Sequence, residues 1–348
     1  MLARLIILAG MAVTALARDT FAEEAAPKTV IALGSCAHQS RSQAFWAPIL
    51  SHKPDYFIFG GDNMYSDTYN MDLQRKKYQQ LADQEGFQQL KKQSIIMATW
   101  DDHDYGLNDS GLEFREKAGS QKNFLDFWGV PARSPRREQE GIYDATVVDV
   151  EGRRLQFIIL DTRYHRSELV KKAERKQGEG RYTQNSSPNA TILGEAQWAW
   201  LEKQLEMKAD IRFIVSSIQV VPQDHLWESW FNFPRERNRL FRLIRSTGAE
   251  GVIFLTGDRH MAELSRHNEA GVGYPLYDLT SSGLNMARGG HWPETNRYRI
   301  GRQFFENHFG LITIAWEKDP SITLQIRDLS NKVVIEHALT LDELRARL

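Results

Sequence analysis

A dense group of polar side chains follows the apolar segment at residues 95–98. Within nine residues the chain carries Asp101, Asp102, His103, Asp104, Asn108 and Asp109. The apolar segment has the length of a buried strand, and loops after such strands form ligand crevices in α/β sheets. A solvated acidic loop is the alternative interpretation. Because four other apolar runs also end in polar groups, the pattern favours a ligand site.

Those four runs end in the sequences LGSC, FGGDNMY, LDTRYHR and LTGDRH. Together with the acidic loop they supply thiol, carboxyl, phenol, amide and imidazole groups: Cys36, Asp62, Tyr65, Asp102, Asn108, Asp258 and His260. Thiolate and phenolate donors suit a highly charged transition metal, whereas carboxylate and amide oxygens suit a harder ion such as calcium or manganese. Taken singly, each residue has a structural alternative, such as a hydrogen-bonded core histidine. Their joint occurrence at strand ends predicts a metal site.

Alternating strands and helices are expected to position these loops. Runs rich in β-branched and aromatic residues, bounded by turn residues, predict strands at 29–33, 55–59, 95–98, 143–150, 155–160, 212–216 and 251–255. The segment 194–207 has Trp198, Leu201 and Leu205 at helical spacing, which predicts a helix. Further helices are predicted at 44–50, 71–92, 112–128 and 235–245.

The carboxyl third of the chain changes character. From Pro275 onward, strands are predicted at 277–279, 311–316, 322–327 and 333–337, with little helix between them. Residues 166–190 are charged and then rich in Ser, Asn and Pro, which predicts a long surface loop at the rim of the site. Because no repeat or low-complexity linker interrupts the chain, we expect one domain over residues 23–348.

The amino terminus has the pattern of a targeting segment. Arg4 precedes an apolar run at residues 5–16, and small residues follow near Ala17 and Ala22. The run is too short to span a bilayer comfortably, so we predict a cleaved signal peptide over residues 1–22. A buried first helix is the alternative. Export would place the mature protein in a periplasm or outside the cell, without a stable membrane anchor.

Composition narrows the class of protein and of partner. The 348 residues carry a formal net charge of −1, with 41% hydrophobic and 26% charged residues, as in ordinary globular proteins. This balance argues against a nucleic-acid partner held by a broad basic field. The chain has a single cysteine, so an internal disulfide is excluded. Cys36 is therefore an apolar filler, an intermolecular partner or a ligand.

Five sequence blocks carry a resemblance to a known family. GSC at residues 34–36, GDNMY at 61–65, WDDHDYGLND at 100–109, LDTRY at 160–164 and TGDRH at 256–260 resemble, in this order, the PhoD-like alkaline phosphatase and phosphodiesterase family of the calcineurin-like metallophosphoesterases. The resemblance covers most of residues 29–285. It implies an α/β fold in the form of a four-layer α/β/β/α sandwich with two facing mixed sheets.

The resemblance also implies a metal-ligand set. Cys36, Asp62 and Tyr65 match ligands of a ferric iron, and His260 joins them. Asp62 would bridge to a second metal, which is calcium in the best-known members, with manganese, magnesium or zinc as alternatives. The second ion would be held by Asp258, Asn108 and Asp102. The division of work between Asn108 and Asp102 stays open, since one of them can bind metal while the other orients water or substrate.

Two further residues have implied catalytic roles. Arg163 matches a phosphate clamp, because a guanidinium fork fits two phosphate oxygens. His103 is expected to protonate or stabilise the leaving alkoxide. The implied activity is hydrolysis of a small phosphate ester, in which two ions hold the phosphate and activate water. The alternatives are a phosphodiesterase specific for lipid or cell-wall diesters, and a secreted binding protein of the same fold without turnover.

Substrate choice depends on a group of aromatic residues whose role is open. The group comprises Trp227, Trp230, Phe231, Phe233 and Trp292. It forms either a satellite core under long loops or an apolar wall beside the metal cleft, which would favour bulky leaving groups. Arg288, Arg297 and Arg299 lie near it in sequence and are candidates for attracting a second negative group.

Overall fold

The computed structural model describes residues 26–174, 179–290 and 294–346. The predicted signal peptide at residues 1–22 and Trp292 lie outside the described residues. The strands are β1 Lys28–Gly34, β2 Tyr56–Gly60, β3 Ile95–Thr99, β4 Asp144–Val150, β5 Arg153–Ile159, β6 Val170–Lys171, β7 Tyr182–Thr183, β8 Ile211–Ser216, β9 Val252–Thr256, β10 Ala262–His267, β11 Leu276–Ser281, β12 Arg299–Phe304, β13 His308–Ala315, β14 Ser321–Asp328 and β15 Val333–Thr340.

Helices fill most of the connections in the amino-terminal two thirds of the described chain. They are α1 Trp46–Ser51, α2 Met71–Ala82, α3 Glu85–Gln93, α4 Asp102–Tyr105, α5 Lys117–Phe127, α6 Gly194–Leu205 and α7 Pro234–Ser246. Short 3-10 helices lie at Pro135–Arg137, Trp230–Asn232 and Leu341–Leu344. Among the described helices, none combines the length and the apolar character that a bilayer crossing requires.

The long strands form two mixed sheets. The first has six strands in the order β15-β14-β13-β1-β2-β3, and the second has seven in the order β12-β10-β11-β9-β8-β5-β4. In the first sheet β1, β2 and β3 are parallel, while β13 pairs antiparallel with β1. In the second, β5, β8, β9 and β11 are parallel neighbours. Each sheet therefore has a set of parallel strands whose carboxyl ends share one edge.

Side-chain alternation determines how the layers stack. In β1, Ile31 and Leu33 belong to a core cluster that includes residues of the second sheet, whereas Ala32 packs with residues of the helices on the opposite face. Between the sheets, the rings of Tyr56 and Phe157 lie 4.9 Å apart. Because strand side chains alternate between faces, one face of each sheet contacts the other sheet and its outer face is covered by helices. The predicted four-layer arrangement of two mixed sheets is confirmed.

Several predicted elements differ in their bounds. The predicted helix at 71–92 is two helices, α2 and α3, and the helix predicted from residue 112 begins only at Lys117. The amide of Leu112 instead donates to the carbonyl of Arg166 at 2.8 Å, which keeps this segment in a loop. Strands β10 and β12 lie outside the predicted set, because their polar composition does not have the apolar character of the other strands.

Close contact between strand ends brings the two sheets together at the site. Gly257 follows β9, and a Cβ atom there would lie 2.6 Å from the carbonyl oxygen of Gly60 at the end of β2. Gly61 has a φ of +100°, and its Cβ would lie 2.6 Å from that of Asp101. Both positions require glycine, one for close backbone approach and the other also for its positive φ. The loops after β1, β2, β3 and β9 therefore meet at one place.

Candidate metal centre

Four predicted ligands converge at this meeting point and are called site 1: Cys36, Asp62, Tyr65 and His260. The Tyr65 hydroxyl lies 3.0 Å from Oδ2 of Asp62 and 3.3 Å from Nε2 of His260. The Cys36 sulfur lies 3.5 Å from the same Asp62 oxygen. One potential ligand atom from each of Cys36, Asp62 and His260 lies within 4.8 Å of the others. Thiol, carboxyl, phenol and imidazole groups thus surround a single small volume.

Backbone conformation contributes to this convergence. Cys36, Asp62, Asp258 and His260 all have positive φ angles, of 57°, 51°, 68° and 53°. Residues other than glycine rarely adopt this left-handed conformation, which costs of order 1–3 kcal/mol per residue. The conformation turns the chain sharply just after the strands β1, β2 and β9. Its repetition at four predicted ligands shows that the fold holds the turns in place against this strain.

A second group of acids adjoins site 1 and is called site 2: Asp101, Asp102 and Asp258. One carboxylate oxygen from each lies within 4.8 Å of the others. Asp102 is fixed by two backbone amides, since its Oδ1 accepts from His103 at 2.9 Å and its Oδ2 from Asp109 at 2.6 Å. Asn108 lines the same cleft as Asp102 and Asp258. Asn108 therefore belongs to the cleft beside site 2.

The two sites are continuous. Potential ligand atoms of Asp62, Asp102 and His103 also lie within 4.8 Å of one another. Asp62 belongs to site 1 through its Oδ2, while its Oδ1 accepts from the His103 amide at 3.3 Å. Asp62 is therefore the residue that joins the two groups.

Burial makes ionisation of the acidic groups in this cluster unfavourable. It raises the pKa of the Cys36 thiol to about 12, a shift to which Asp258 adds. It also raises the pKa of Asp62, Tyr65 and Asp258 well above their ordinary values, and neighbouring acidic groups reinforce each shift. A cation would offset the cost of ionising these groups, as bound metals do for thiols and phenols. The donor set and its electrostatics therefore fit metal ions.

His103 lies beside these acidic groups and carries the opposite charge when its imidazole is protonated. Its Nδ1 lies 2.8 Å from both carboxylate oxygens of Asp67. Burial opposes its protonation, but the carboxylates of Asp102, Asp62 and Asp67 outweigh burial and raise its pKa to about 11. The side chain also lines the cleft. The surrounding carboxylates thus favour the protonated imidazole at the edge of sites 1 and 2.

The cleft above the two sites has a volume of about 220 Å³. Its floor includes the predicted ligands Asp102, Asn108, Asp258 and His260. Its walls carry the residues Arg181, Trp227, Glu228, Arg259 and Arg288. The space has room for a small ester, and it combines a floor rich in acids with guanidinium groups on the walls.

Arg163 does not lie in this cleft, contrary to the prediction of a phosphate clamp. Its side chain has no exposed surface, its Nε donates to Asp101 at 2.7 Å, and its Nη1 lies 2.9 Å from Glu228. Arg166 binds the same Glu228 carboxylate at 3.0 Å. A guanidinium held between two buried carboxylates is committed to internal ion pairs. Arg163 therefore pairs with Asp101 in the protein interior and has no exposed surface that a substrate could contact.

The aromatic group is divided between cleft and core. Trp227 lines the cleft, whereas Trp230 is fully buried and donates to Ser216 Oγ at 3.0 Å. The neighbouring arginines are divided as well. Arg288 lines the cleft, while Arg297 pairs with Asp224 at 2.6 Å and Arg299 pairs with Glu263 at 2.7 Å. Trp227 thus lies beside the cleft, whereas Trp230 belongs to the main core and not to a separate satellite core.

Several residues of the centre lie outside the set predicted from sequence. Asp101 and Arg259 stand inside the recognised WDDH and TGDRH blocks, so adjacency to a predicted ligand is the signal that could have found them. Arg181 belongs to the long polar loop, where one arginine among many basic residues gives no such signal. Glu228 follows Trp227 in an aromatic segment and also carries no local signature.

Comparison with known proteins places these observations in a family context. A family model described as PhoD-like phosphatase matches residues 31–284. Alkaline phosphatase D of Bacillus subtilis (strain 168) is 28% identical over 122 aligned residues, which cover 31% of this chain and 20% of that protein. The chain therefore matches about a fifth of the length of this curated relative.

Solved structures show the same fold at low identity. The structure of PhoD superposes with a TM-score of 0.69 and 17% identity, covering 91% of this chain and 69% of that one. A purple acid phosphatase from yellow lupin (Lupinus luteus) seeds gives a TM-score of 0.61 and 12% identity, covering 90% of this chain and 54% of that one. At these identities the likeness concerns the fold.

Proposed function

Because the chain belongs to the PhoD-like phosphatase family, whose model matches residues 31–284, we propose that it is a metal-dependent hydrolase of phosphate esters. The observation that carries this proposal is the convergence of site 1 and site 2 through Asp62, beside a cleft that Asp102, Asp258 and His260 line. A purely structural cluster would not require so many buried acids beside one another, since each buried charge costs free energy unless it is paired.

Cys36, Asp62, Tyr65 and His260 would hold the first ion, which we propose to be ferric iron, because thiolate and phenolate donors suit a highly charged metal. Asp62 would be shared with a second ion at Asp102 and Asp258. Asn108 is the proposed amide ligand or water-orienting group of this second site. Oxygen donors suit calcium, and they also suit manganese or magnesium, with zinc as a further alternative.

When bound, such a pair of ions supplies Lewis acidity, which lowers the pKa of water and stabilises charge on the phosphate oxygens. The protein's own contribution is to orient the reacting groups. The backbone amides of His103 and Asp109 fix the carboxylate of Asp102. The carboxylate of Asp101, the residue before Asp102, is fixed by its buried ion pair with Arg163. Arg163 is thus proposed as a positioning residue for site 2.

His103 is the proposed group that assists departure of the alkoxide. It lines the cleft, and the Asp67 carboxylate lies 2.8 Å from its Nδ1. This contact fixes the orientation of the ring. Asp62 and Asp102 support its positive charge less once they are shared with cations. His103 is then suited to stabilise the leaving oxygen or to deliver a proton to it.

Two finer proposals concern substrate and location. The cleft is open and small, so we propose activity on both monoesters and diesters of small molecules. Residues 1–22 support export to a periplasm or the medium, a proposal that depends on their sequence pattern alone.

Hydrolysis measured before and after metal removal tests the proposed function. The purified protein should release nitrophenol from p-nitrophenyl phosphate and from its bis-ester. Dialysis against a chelator should abolish both activities, and added iron with calcium should restore them. Activity that is unaffected by complete removal of metal would contradict the proposal.

A further inference from the structure

Three guanidinium groups surround the indole ring of Trp227. Their central carbons lie 4.9 Å from the ring centroid for Arg288, 5.4 Å for Arg181 and 5.5 Å for Arg259. The three arginines come from different segments of the chain, and all of them line the cleft with Trp227. We call these four residues the arginine cluster. A cation near an aromatic face is stabilised, so Trp227 provides the surface on which the three charges are gathered.

The arginines of the cluster form ion pairs with acidic side chains. Arg259 and Arg288 share one carboxylate, that of Glu294, at 2.6 Å and 3.1 Å. Arg181 approaches Asp109 at 3.6 Å. The three guanidinium groups thus have two carboxylates as ion-pair partners among the described residues, while Glu228 and Asp258 also line the cleft. Burial and the neighbouring Arg259 also lower the pKa of Arg288, as expected where like charges are held close together.

Hydrogen-bond donors in the cluster also lack acceptors. Arg259 is only 3% exposed, and its Nε has no acceptor within the part of the chain that the structure describes. The buried Nε of Arg181 likewise has no acceptor among those residues. Leaving such a charged donor unpaired costs free energy. Neither guanidinium group is thus fully paired by acceptors of the described residues, and its charge can act on an oxyanion bound in the cleft.

The cluster adjoins the metal sites, since Arg259 stands between Asp258 and His260 in sequence, but its side chains are not among the proposed ligands. The backbone amide of Arg288 donates to the backbone carbonyl of His260 at 3.0 Å, so the arginine cluster contacts a residue of site 1 directly. Ions at sites 1 and 2 would neutralise the scissile phosphate. The arginine cluster is then available to bind another group of the same substrate.

We propose that the cleft selects phosphate esters that carry a second oxyanion, a carboxylate or phosphate, on the leaving-group side, and that the arginine cluster binds this second group. The inference rests on the proposed function for the identity of the first phosphate. Guanidinium forks bind both kinds of oxyanion through paired hydrogen bonds. Trp227 would pack against the carbon skeleton between the two anionic groups.

Binding of non-hydrolysable phosphonates tests the second-anion site without turnover. Calorimetry on the metal-loaded protein would compare propylphosphonate with 3-phosphonopropionate, which replaces the methyl group by carboxylate, and with propane-1,3-bisphosphonate. We expect at least one of the two ligands with a second anionic group to bind about tenfold more tightly than propylphosphonate, the size of one charge-assisted hydrogen bond. Comparison of these two ligands shows whether carboxylate or phosphonate is preferred as the second group.

Arg288→Gln should reduce this preference to about twofold, the loss expected when one charged donor is removed. Metal content is measured in the same samples, since Arg288 adjoins His260. Arg297→Gln is the matched control, because Arg297 pairs with Asp224 and does not line the cleft. Its preference should equal that of the wild type. Equal binding of all three phosphonates to the wild type, or an equal loss for all three in Arg288→Gln, would overturn the second-anion site.

Hydrolysis of a matched pair separates this inference from the proposed function. Glycerol 2-phosphate and 2-phosphoglycerate differ by a hydroxymethyl group in place of a carboxylate. If neither ester is hydrolysed, the proposed function is contradicted. The phosphonate binding experiment still tests the second-anion site in that case. Hydrolysis of both, combined with equal phosphonate binding, would uphold the proposed function and overturn the inference.

Discussion

The hydroxyl of Tyr65 lies 3.0 Å from a carboxylate oxygen of Asp62. Burial raises the pKa of both groups, so neither loses its proton readily in the absence of a cation. A cation between them would displace both protons and allow both groups to bind as anions. This pair is therefore the clearest local sign of a metal site in the fold.

Tyr65→Phe tests the identity of the first ion. A phenolate bound to ferric iron absorbs visible light by charge transfer, so the wild-type protein should be coloured and the variant should be bleached. Visible spectra and iron analysis are measured together, with Tyr56→Phe in the inter-sheet core as control. A colourless wild type that contains no iron and is fully active would exclude the ferric assignment.

Arg163→Ala tests whether this residue is structural. The substitution leaves the buried carboxylates of Asp101 and Glu228 without their common partner, and breaking a buried pair typically costs about 3–5 kcal/mol. Urea unfolding should show a loss of this size. Arg154→Ala, on an exposed pair 3.4 Å from Asp149, should change stability by about 1 kcal/mol or less. An unchanged unfolding midpoint together with a raised KM would restore the phosphate-clamp interpretation.

Comparison of two tryptophans three residues apart tests the division between cleft and core. Trp230→Ala should lower stability by about 3–5 kcal/mol, because Trp230 is fully buried. Trp227→Ala should fold and should lose more kcat/KM on an aromatic diester than on a small alkyl phosphate. Thermal unfolding and steady-state kinetics measure the two effects. Equal kinetic losses on both esters in Trp227→Ala would remove Trp227 from substrate recognition.

Sequence patterns predicted the architecture well where hydrophobic periodicity was strong. The strands ending at Gly34, Gly60 and Thr256 were predicted within one or two residues, because each is an apolar run followed by a loop of glycine and polar residues. The strand Ala262–His267 could not be recognised in this way, because Glu263 and Arg266 interrupt its apolar pattern. Its place in the sheet depends on pairing with distant strands.

The site was predictable in its residue types and less so in its geometry. Cys36, Asp62 and His260 lie where the blocks imply, since short turns after adjacent strands leave little freedom. Arg163 also follows a strand, but the direction of a long side chain depends on partners such as Glu228, which lies 65 residues away in sequence. Tertiary contacts of this kind leave no local signal. They explain why the sequence could not predict that the Arg163 side chain pairs with Asp101 and Glu228.

His308 makes stability depend on pH. It is fully buried, its Nε2 accepts from the Ser282 amide at 3.1 Å, and burial lowers its pKa to about 4. The neutral ring therefore stabilises the fold fully above the unfolded pKa of about 6.5. As pH falls from there through the folded pKa, a contribution of about 3 kcal/mol is lost.

His308→Gln removes this titration while keeping an acceptor and a donor in the side chain. The free energy of unfolding of both proteins, measured by urea titration at pH 7.5 and pH 4.5, gives the contribution of His308 by difference. The stability advantage of the wild type should shrink by about 2–3 kcal/mol at the lower pH. An advantage that is the same at both pH values would show that His308 is not held neutral by the fold.

In the proposed function, Asp62 joins two metal sites at which phosphate esters are hydrolysed. The measurement that tests it most directly is metal content per chain, taken together with hydrolysis of p-nitrophenyl phosphate, for wild type, Asp62→Asn and the control Asp149→Asn. Asp149 has a side chain that is 77% exposed on β4, away from the cleft. We predict two ions and activity in the wild type and the control, and loss of nearly all metal and activity in Asp62→Asn. Full metal content and full activity in Asp62→Asn would contradict the account.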